Sequence, residues 1–262
     1  MKPELPENQI CVGNQSKIIM KKFRLIRSEP ASASYNMAVD EKIFFRYLKD
    51  GIPTFRIYGW QEPSFTYGLS QKPEREMNMV ECNKDNIHFA KRMTGGGILF
   101  HHNEITYSLV CSKDDIGEEK DVFVSYRKIC AFLISFYQSL GLKPTFACEV
   151  DNFIDNSAAH PLCSASHEKY DILINGKKIG GNAQKRNRQA VFQHGSIPIS
   201  LDWELMRRYL RRLPDGVVSS VTSLAQELKD LPSKEILEQK LIEAARQTFN
   251  ASFTEEREPL FL

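Results

Sequence analysis

The sequence KRMTGGGILFHH, residues 91–102, places three consecutive glycines between two segments with the composition of β-strands. Glycine has no Cβ, so the backbone of such a loop can approach a ligand or another segment closely. Arg92 and Thr94 stand directly before the glycines and can bind a phosphate or a carboxyl-like oxygen. The spacing matches neither a P-loop nor a dinucleotide-binding motif. The segment therefore predicts either a ligand-binding loop or a simple hairpin turn.

Segments that alternate like β-strands lie on both sides of this loop. TFRIYGW (residues 54–60) and SFTYG (64–68) come before it, and ITYSLV (105–110) comes after it. Alternating polar and apolar residues, bounded by glycine and proline, are typical of strands. The middle of the chain therefore predicts a β-sheet. Further strand-like segments are YDILI (170–174), KKIGGNAQ (177–184) and AVFQHGSIPIS (190–200).

Helical spacing of apolar residues predicts helices that flank these strands. The segment 34–50 has this spacing, with Ser34 as its predicted N-cap. The segment 122–141 is apolar over a wide face and stops at Gly141. Together the elements predict an α/β (α+β) fold, in which a mixed β-sheet domain is flanked by helices.

The chain is predicted to form one domain with an appendage at each end. Residues 1–19 are polar and lack an apolar signal core, which predicts a flexible extension. Residues 20–230 hold the strands and the two main helices and are expected to form the domain. From Asp202 onward the pattern is helical, most clearly over 232–249, so residues 231–262 predict a short helical C-terminal tail.

The composition excludes several classes of protein. Of the 262 residues, 42% are hydrophobic and 26% charged, as in a globular domain that buries a core. The net charge of +2 is too small to favour nucleic acid or a membrane as the main partner. No apolar segment approaches the roughly 18 residues that span a bilayer. The six cysteines are scattered without a Cys-x-x-Cys pair, so no metal site is predicted and a reducing cytoplasm is expected.

A second candidate site is GKKIGGNAQKR, residues 176–186. Because side chains alternate along a strand, we expect Lys178 to point inward and Lys177 to point to solvent. An inward lysine beside Gly180 and Gly181 needs an anion or an oxygen as its partner, since an unpaired buried ammonium is costly. The alternative is a solvated run of charges.

Cys163 and the histidines offer nucleophilic and acid-base groups. The neighbours of Cys163 are small or polar, which suits an exposed loop, and a nearby ammonium or imidazolium would increase its thiolate fraction. A buried, inert thiol is the alternative. His101, His102 and His194 lie on strand-like segments and are candidates for acid-base groups or for structural histidines.

Taken together, these segments resemble the lipoate–protein ligase and octanoyltransferase family, which shares its catalytic domain with the biotin ligases. The motifs occur in the family order and cover residues 23–228. The resemblance implies a biotin/lipoate ligase-like catalytic fold for residues 20–230. The motifs are NMAVDE, FRIYGWQEPSFTYGLSQ, RMTGGGILFHH, GKKIGGNAQKR, QHGSI and SSVTSLAQEL.

The resemblance also implies the site residues. Lys178 corresponds to the family lysine that binds the carbonyl or adenylate end of the acyl donor. The family's His-Asp pair after the glycine loop is His101-His102 here, so its aspartate is absent. The expected substrate-binding residues are Arg92, Thr94, Gly95, Gly96, Gly97, His101, Gly180, Gly181, Asn182, Ala183 and His194, with Tyr58, Phe65 and Leu99 along the acyl chain.

The resemblance leaves more than one activity open. Thioester-forming octanoyltransferases carry a cysteine seven residues before an aromatic residue, as Cys163 precedes Tyr170. We expect this activity: an octanoyl or lipoyl group moves to Cys163 and then to a lysine, without a cofactor, while Lys178 holds the carbonyl oxygen. The alternative is an ATP-dependent lipoate–protein ligase that uses ATP and Mg to form lipoyl-AMP, and the triple glycine is closer to that form. A non-catalytic protein that binds lipoate or lipoyl domains is a third possibility.

The resemblance implies the partners as well. The donor is expected to be acyl carrier protein, and the acceptor a lipoyl domain of a 2-oxoacid dehydrogenase E2 or the glycine cleavage H protein. Lys185, Arg186 and Arg188 are candidates for meeting acidic carrier domains, because complementary charge speeds encounter, and the alternative is that they form a solvated rim. Neither nucleic acid nor a membrane is expected as a partner, and the expected location is the cytoplasm.

Overall fold

A computed structural model describes the protein at residues 20–116, 122–150, 168–213 and 215–258. The predicted extension, residues 1–19, lies outside these ranges. The described chain forms three β-sheets flanked by helices, as the sequence predicts, and none of its helices is long and apolar enough to cross a membrane.

The strands are β1 (Lys21–Arg27), β2 (Thr54–Tyr58), β3 (Ser64–Tyr67), β4 (His88–Lys91), β5 (Ile98–His101), β6 (Glu104–Cys111), β7 (Pro144–Phe146), β8 (Ile172–Ile174), β9 (Lys177–Ile179), β10 (Gly181–Arg186), β11 (Val191–Pro198), β12 (Val221–Thr222) and β13 (Ala251–Glu256). The helices are α1 (Ala33–Asp50), α2 (Pro73–Glu76), α3 (Met79–Lys84), α4 (Val122–Ser139), α5 (Trp203–Tyr209), α6 (Val217–Ser220), α7 (Leu224–Glu227) and α8 (Lys234–Thr248).

The central sheet has the strand order β10-β11-β6-β2-β1-β13. From β10 to β2 the neighbours pair antiparallel, whereas β2, β1 and β13 run parallel. Every residue of β2 and β6 is buried, because α4 and α8 cover one face of the sheet and α1 covers the other. Successive residues of β6, such as Leu109 and Val110, therefore enter different cores.

The ends of α1 are set by a serine and a glycine. Ser32 is the N-cap and accepts a hydrogen bond from the Tyr35 N–H at 3.4 Å. Gly51 ends the helix with φ +67, and its N–H donates to the Tyr47 carbonyl at 2.8 Å. The predicted N-cap, Ser34, lies inside the first turn, so that prediction is wrong.

Strands flank the glycine loop as predicted, but they do not form a hairpin. The three-stranded sheet has the order β4-β3-β5, in which β3 pairs parallel with β4 and antiparallel with β5. A hairpin turn would place β4 and β5 side by side. The loop over residues 92–97 instead crosses from one edge of this sheet to the other, so the hairpin alternative is wrong.

The segment KKIGGNAQ forms two strands that belong to different sheets. β9 lies in the sheet of order β12-β9-β8-β7, whereas β10 is the edge of the central sheet. The break falls at Gly180, which has φ +76 and where a Cβ would lie 2.0 Å from the Ser196 carbonyl oxygen. Only glycine fits at this position. It allows the chain to turn there and to pass directly from β9, the strand of Lys178, into β10 of the central sheet.

The C-terminal segment is an integral part of the domain. α8 packs on α4 in the main core through residues such as Leu237 and Leu241. The chain then forms β13, which pairs parallel with β1 from Lys21↔Ala251 onward. The predicted helical tail is therefore present as α8 but wrong for residues 251–256. Local spacing could not reveal this strand, because its partner is the first strand of the domain.

Candidate active site

Arg92 holds the glycine loop from inside the protein. Its guanidinium is buried, and Nη1 donates to Thr66 Oγ1 at 2.8 Å. Nη2 donates to the carbonyl oxygens of Gly95 at 3.2 Å and Gly97 at 2.6 Å. Gly96 between them has φ +88, a conformation that residues with side chains rarely adopt. The path of the loop therefore depends on both Arg92 and Gly96.

A cavity of about 320 Å³ lies between the central sheet and the three-stranded sheet, and we call it the first cavity. This volume includes space that is open to solvent. A second cavity of about 720 Å³ adjoins it and shares Leu99, Gly181 and Ser196 with it. The lining of the first cavity comprises Met37, Tyr58, Trp60, Thr66, Arg92, Leu99, His101, Thr106, Gly181, Asn182, Ala183, His194, Gly195 and Ser196.

The structure brings most of the predicted substrate-binding residues together. Gly180 lines the second cavity, and Thr94 Oγ1 lies 2.9 Å from His194 Nε2. Among the residues expected along an acyl chain, Tyr58 and Leu99 line the first cavity, whereas Phe65 is buried in a separate core cluster. The loop glycines Gly95, Gly96 and Gly97 surround Arg92 and do not line these two cavities, so their role in substrate binding remains a prediction. The predicted residues that line the first cavity are Arg92, His101, Gly181, Asn182, Ala183 and His194.

Glu104 is the carboxylate partner of His101. The buried His101 has Nδ1 at 2.9 Å from Glu104 Oε1 and Nε2 at 2.6 Å from Thr66 Oγ1. His102, at the position of the family aspartate, is exposed. Sequence reasoning missed Glu104, although an acidic residue three positions after a histidine was a signal that it could have used.

Several donors converge on the Glu104 carboxylate. It accepts hydrogen bonds from Trp60 Nε1 at 3.0 Å, Thr106 Oγ1 at 2.5 Å and Ser196 Oγ at 2.6 Å. Trp60 also stacks on His101, with 3.9 Å between ring centroids. Burial alone would raise the pKa of Glu104, but the charge and hydrogen bond of His101, with the two hydroxyls, hold this pKa below its ordinary value. The carboxylate is therefore ionised at neutral pH.

Asp40 of α1 is a second buried carboxylate beside the first cavity. Its Oδ1 accepts from Arg56 at 2.9 Å and Ser108 at 2.8 Å, and its Oδ2 accepts from Tyr58 at 2.9 Å. His194 Nδ1 lies 3.7 Å from Oδ2. Burial would raise the pKa of Asp40, but His194 and Arg56 lower it below the ordinary value. Burial lowers the pKa of His194 despite this carboxylate, so the imidazole is neutral at pH 7.

The hydrogen bonds around Glu104 and Asp40 determine which chemical groups a ligand would meet in the first cavity. The polar atoms of its lining bond mainly to one another, so the exposed surface of the cavity is largely apolar. An aliphatic chain placed there would be removed from water without leaving these groups unpaired. No group of three His, Cys, Asp or Glu side chains in the described part of the chain could hold a metal ion.

The side chains of Lys177 and Lys178 point to opposite sides of β9, as predicted. Lys177 is exposed, whereas Lys178 is 1% exposed, so the alternative of a solvated charge run is wrong for Lys178. Its Nζ lies 2.7 Å from Asp171 Oδ2, and Asp171 immediately precedes β8, the neighbour of β9. A buried ammonium therefore has a carboxylate partner, which sequence reasoning did not name. Gly180, two residues further on, lines the second cavity.

Cys163 lies outside the described residues, so its role remains a prediction. Three described cysteines are buried: Cys82, Cys111 and Cys130. Burial raises the pKa of Cys82 to about 11 and that of Cys130 to about 12, and it raises the pKa of Cys111 as well. These thiols are protonated at neutral pH, which makes them poor nucleophiles.

The predicted basic docking residues differ in their surroundings. Arg186 donates to Gln184 Oε1 at 2.8 Å and to Ser125 Oγ at 3.1 Å, and burial lowers its pKa. It is half-buried and engaged within the protein, and its role in docking remains a prediction. Arg188 is exposed and Lys185 half-buried. Docking of an acidic carrier at these two residues remains a prediction.

The arrangement of sheets around this site is that of lipoate-protein ligases. A lipoate-protein ligase A bound with ATP matches the fold with a TM-score of 0.75 and 23% identity, over 91% of this chain and 90% of that chain. A bi-partite lipoate protein ligase from Thermoplasma acidophilum, studied with its E2 lipoyl domain, has a TM-score of 0.73 and 21% identity, over 91% and 88%. At these identities the likeness establishes the fold.

The sequence then identifies the family. The pattern of the lipoyl protein ligase A/B catalytic domain matches residues 32–249, so the chain belongs to that family. Its curated relatives include Octanoyltransferase LipM of Kyrpidia tusciae, 32% identical over 92% of this chain and 90% of the relative. The protein of that name from Bacillus cereus is 32% identical over 91% and 89%. The predicted family, fold class and octanoyltransferase-like enzyme class are confirmed.

Proposed function

We propose that the protein transfers an octanoyl group onto a lysine of a lipoyl domain through a thioester on Cys163. The observation that carries this proposal is the buried Lys178–Asp171 pair, which is followed two and three residues after Lys178 by the cavity-lining Gly180 and Gly181. An ammonium held in place by a carboxylate can stabilise the oxygen of a reacting carbonyl, because its charge is already oriented. The octanoyltransferase relatives favour the same chemistry.

The transfer divides into two acyl exchanges. In the first, the Cys163 thiolate attacks the donor thioester carbonyl, the acyl–sulfur bond to the donor breaks, and the donor leaves as a thiolate that takes up a proton. In the second, the neutral lysine amine attacks the acyl-Cys163 carbonyl, forms the amide, releases the Cys163 thiolate and loses a proton to solvent. In both steps negative charge develops on the carbonyl oxygen, where we place Lys178.

The charges at the open end of the second cavity favour a thioester donor without a cofactor. The adjoining groove is lined by Glu62, Asp202 and Glu204 alongside Lys234. A triphosphate in this groove would face these carboxylates, whereas a thioester carries no charge at its reacting group. ATP and magnesium belong to the ligase alternative, which the same family includes.

The partners follow from this chemistry. The proposed donor is octanoyl-acyl carrier protein, and the proposed acceptor is a lipoyl domain of a 2-oxoacid dehydrogenase E2 or the glycine cleavage H protein. The Thermoplasma acidophilum ligase with the same fold was studied with its own E2 lipoyl domain, which favours this class of acceptor.

The test is a transfer assay with purified lipoyl domain. Octanoyl-carrier protein without ATP should octanoylate the domain and should leave a hydroxylamine-labile octanoyl group on Cys163, detected by intact mass. Cys163→Ser should not turn over, while Cys148→Ser, the matched control, should keep its activity. A fully active Cys163→Ser protein that needs ATP and free lipoate would establish the ligase instead. A folded protein that binds lipoate but transfers it from neither donor would leave the non-catalytic function.

A further inference from the structure

The first cavity ends at two residues, Met37 and Arg92. Both line the first cavity, and both also line an open groove of about 940 Å³ on its far side, which we call the outer groove. The outer groove also contains Leu69, Phe89 and Met93. Met37 and Arg92 therefore form the partition between the first cavity and the outer groove.

The two cavities and the outer groove follow one another along strand β10. Gly181, Ala183 and Lys185 lie on one face of this strand, because side chains alternate. Gly181 lines both cavities, Ala183 lines the first cavity, and Lys185 lines the outer groove. At about 3.3 Å per residue, Lys185 is about 13 Å from Gly181 along the strand. A ligand that reacts near Lys178 thus enters past Gly181 and extends toward Met37.

The two residues of the partition differ in how firmly they are held. The Arg92 guanidinium donates three hydrogen bonds, to Thr66 and to two loop carbonyls, so moving it would disrupt the glycine loop. Met37 is partly buried and packs against an apolar cluster that includes Tyr58, Trp60 and Ala90. A methionine in such contacts changes rotamer at low cost. Met37 is therefore the part of the partition that can be altered while the rest stays in place.

We infer that Met37 sets the maximum length of the acyl chain that this enzyme transfers. This inference rests on the proposed function, since it assigns the first cavity to the acyl chain. With Met37 in place, the methyl end of the chain stops at the thioether. Without the three heavy atoms beyond Cβ, the first cavity opens into the outer groove, and a longer chain continues along Leu69 and Phe89.

The experiment compares acyl-carrier proteins loaded with hexanoyl, octanoyl, decanoyl and dodecanoyl groups. Met37→Ala should raise the ratio of dodecanoyl to octanoyl transfer by about tenfold, as expected when a pocket gains space for a few methylenes. Met37→Phe should lower octanoyl transfer more than hexanoyl transfer. Met93→Ala is the matched control, because Met93 lines the outer groove and not the first cavity, and it should keep the wild-type ratio.

Binding of free octanoate and dodecanoate, followed by tryptophan fluorescence, separates this inference from the proposed function. Trp60 lines the first cavity and reports its occupation. If the wild-type protein transfers no thioester but Met37→Ala gains dodecanoate binding, the proposed reaction fails and the role of Met37 holds. If folded Met37→Ala keeps the wild-type length preference in both transfer and binding, the inference is overturned.

Discussion

At the residue scale, the site is built from ionisable side chains whose partners come from other elements. Lys178 on β9 meets Asp171, which precedes β8, and His101 at the end of β5 meets Glu104 at the start of β6. Each pair is buried, and a buried charge is stable only when its partner and hydrogen bonds are in place. Local sequence suggested the lysine and the histidine, while the packing supplied the carboxylates.

Exchanging each of the two adjacent lysines should separate the buried charge from the exposed one. Lys178→Ala should abolish octanoyl transfer and should also lower the free energy of unfolding by roughly 3–5 kcal/mol, since it leaves Asp171 buried without its ammonium. Lys177→Ala should change both quantities little, because Lys177 is exposed. The measurements are transfer rate and urea denaturation. A fully active Lys178→Ala protein would exclude Lys178 from the reaction.

At the element scale, the glycine loop owes its path to the sheet on which it is carried. The loop connects β4 and β5, which are the two edges of their sheet because β3 lies between them. Crossing that sheet requires a turn with φ +88 at Gly96, and the Arg92 guanidinium fixes the carbonyls on either side of it. The glycines of this loop should therefore differ in how well they tolerate a side chain, although they are identical neighbours in the sequence.

Alanine at two neighbouring glycines should test this difference. Gly96→Ala should lower the free energy of unfolding by about 1–2 kcal/mol, because its φ is left-handed and the new Cβ would lie 3.3 Å from Arg92 Nη2. Gly95→Ala is the matched control and should be nearly silent, since its Cβ would have no described heavy atom within 4 Å. Gly96→Val should also lose acyl binding. Calorimetry with octanoate and thermal denaturation would measure both effects, and equal behaviour of the two alanine variants would contradict the assignment.

At the scale of the whole molecule, the buried ionisable groups beside the first cavity make the free energy of unfolding depend on pH. The pKa of His194 is lowered by burial, and those of Asp40 and Glu104 are lowered by their partners. In each case the unfolded chain binds a proton at a pH where the folded chain does not. The contribution of His194 to the free energy of unfolding is therefore fully present above about pH 6.5, the pKa of histidine in the unfolded chain. This contribution is lost as the pH falls below that value.

We therefore expect the free energy of unfolding to fall on acidification in two stages. As the pH falls below about 6.5 the first loss should come from His194, with a slope of up to about 1.4 kcal/mol per pH unit, and below about pH 4.5 Asp40 and Glu104 should add to it. Urea denaturation at a series of pH values measures these slopes. His194→Gln should flatten the first stage only. An identical slope in that variant would show that His194 does not titrate as its burial requires.

The sequence by itself determined the features that depend on neighbouring residues: the helices α1 and α4, the strands around the glycine loop, the alternation of Lys177 and Lys178, and the motif order that identifies the family. Only the tertiary structure decided that β3 separates β4 from β5, that residues 251–256 complete the central sheet, and that Asp171 pairs with Lys178. The physical reason is the range of the interactions. Spacing along one element reports which face is buried, whereas strand pairing and buried ion pairs join residues whose distance along the chain carries no local signal.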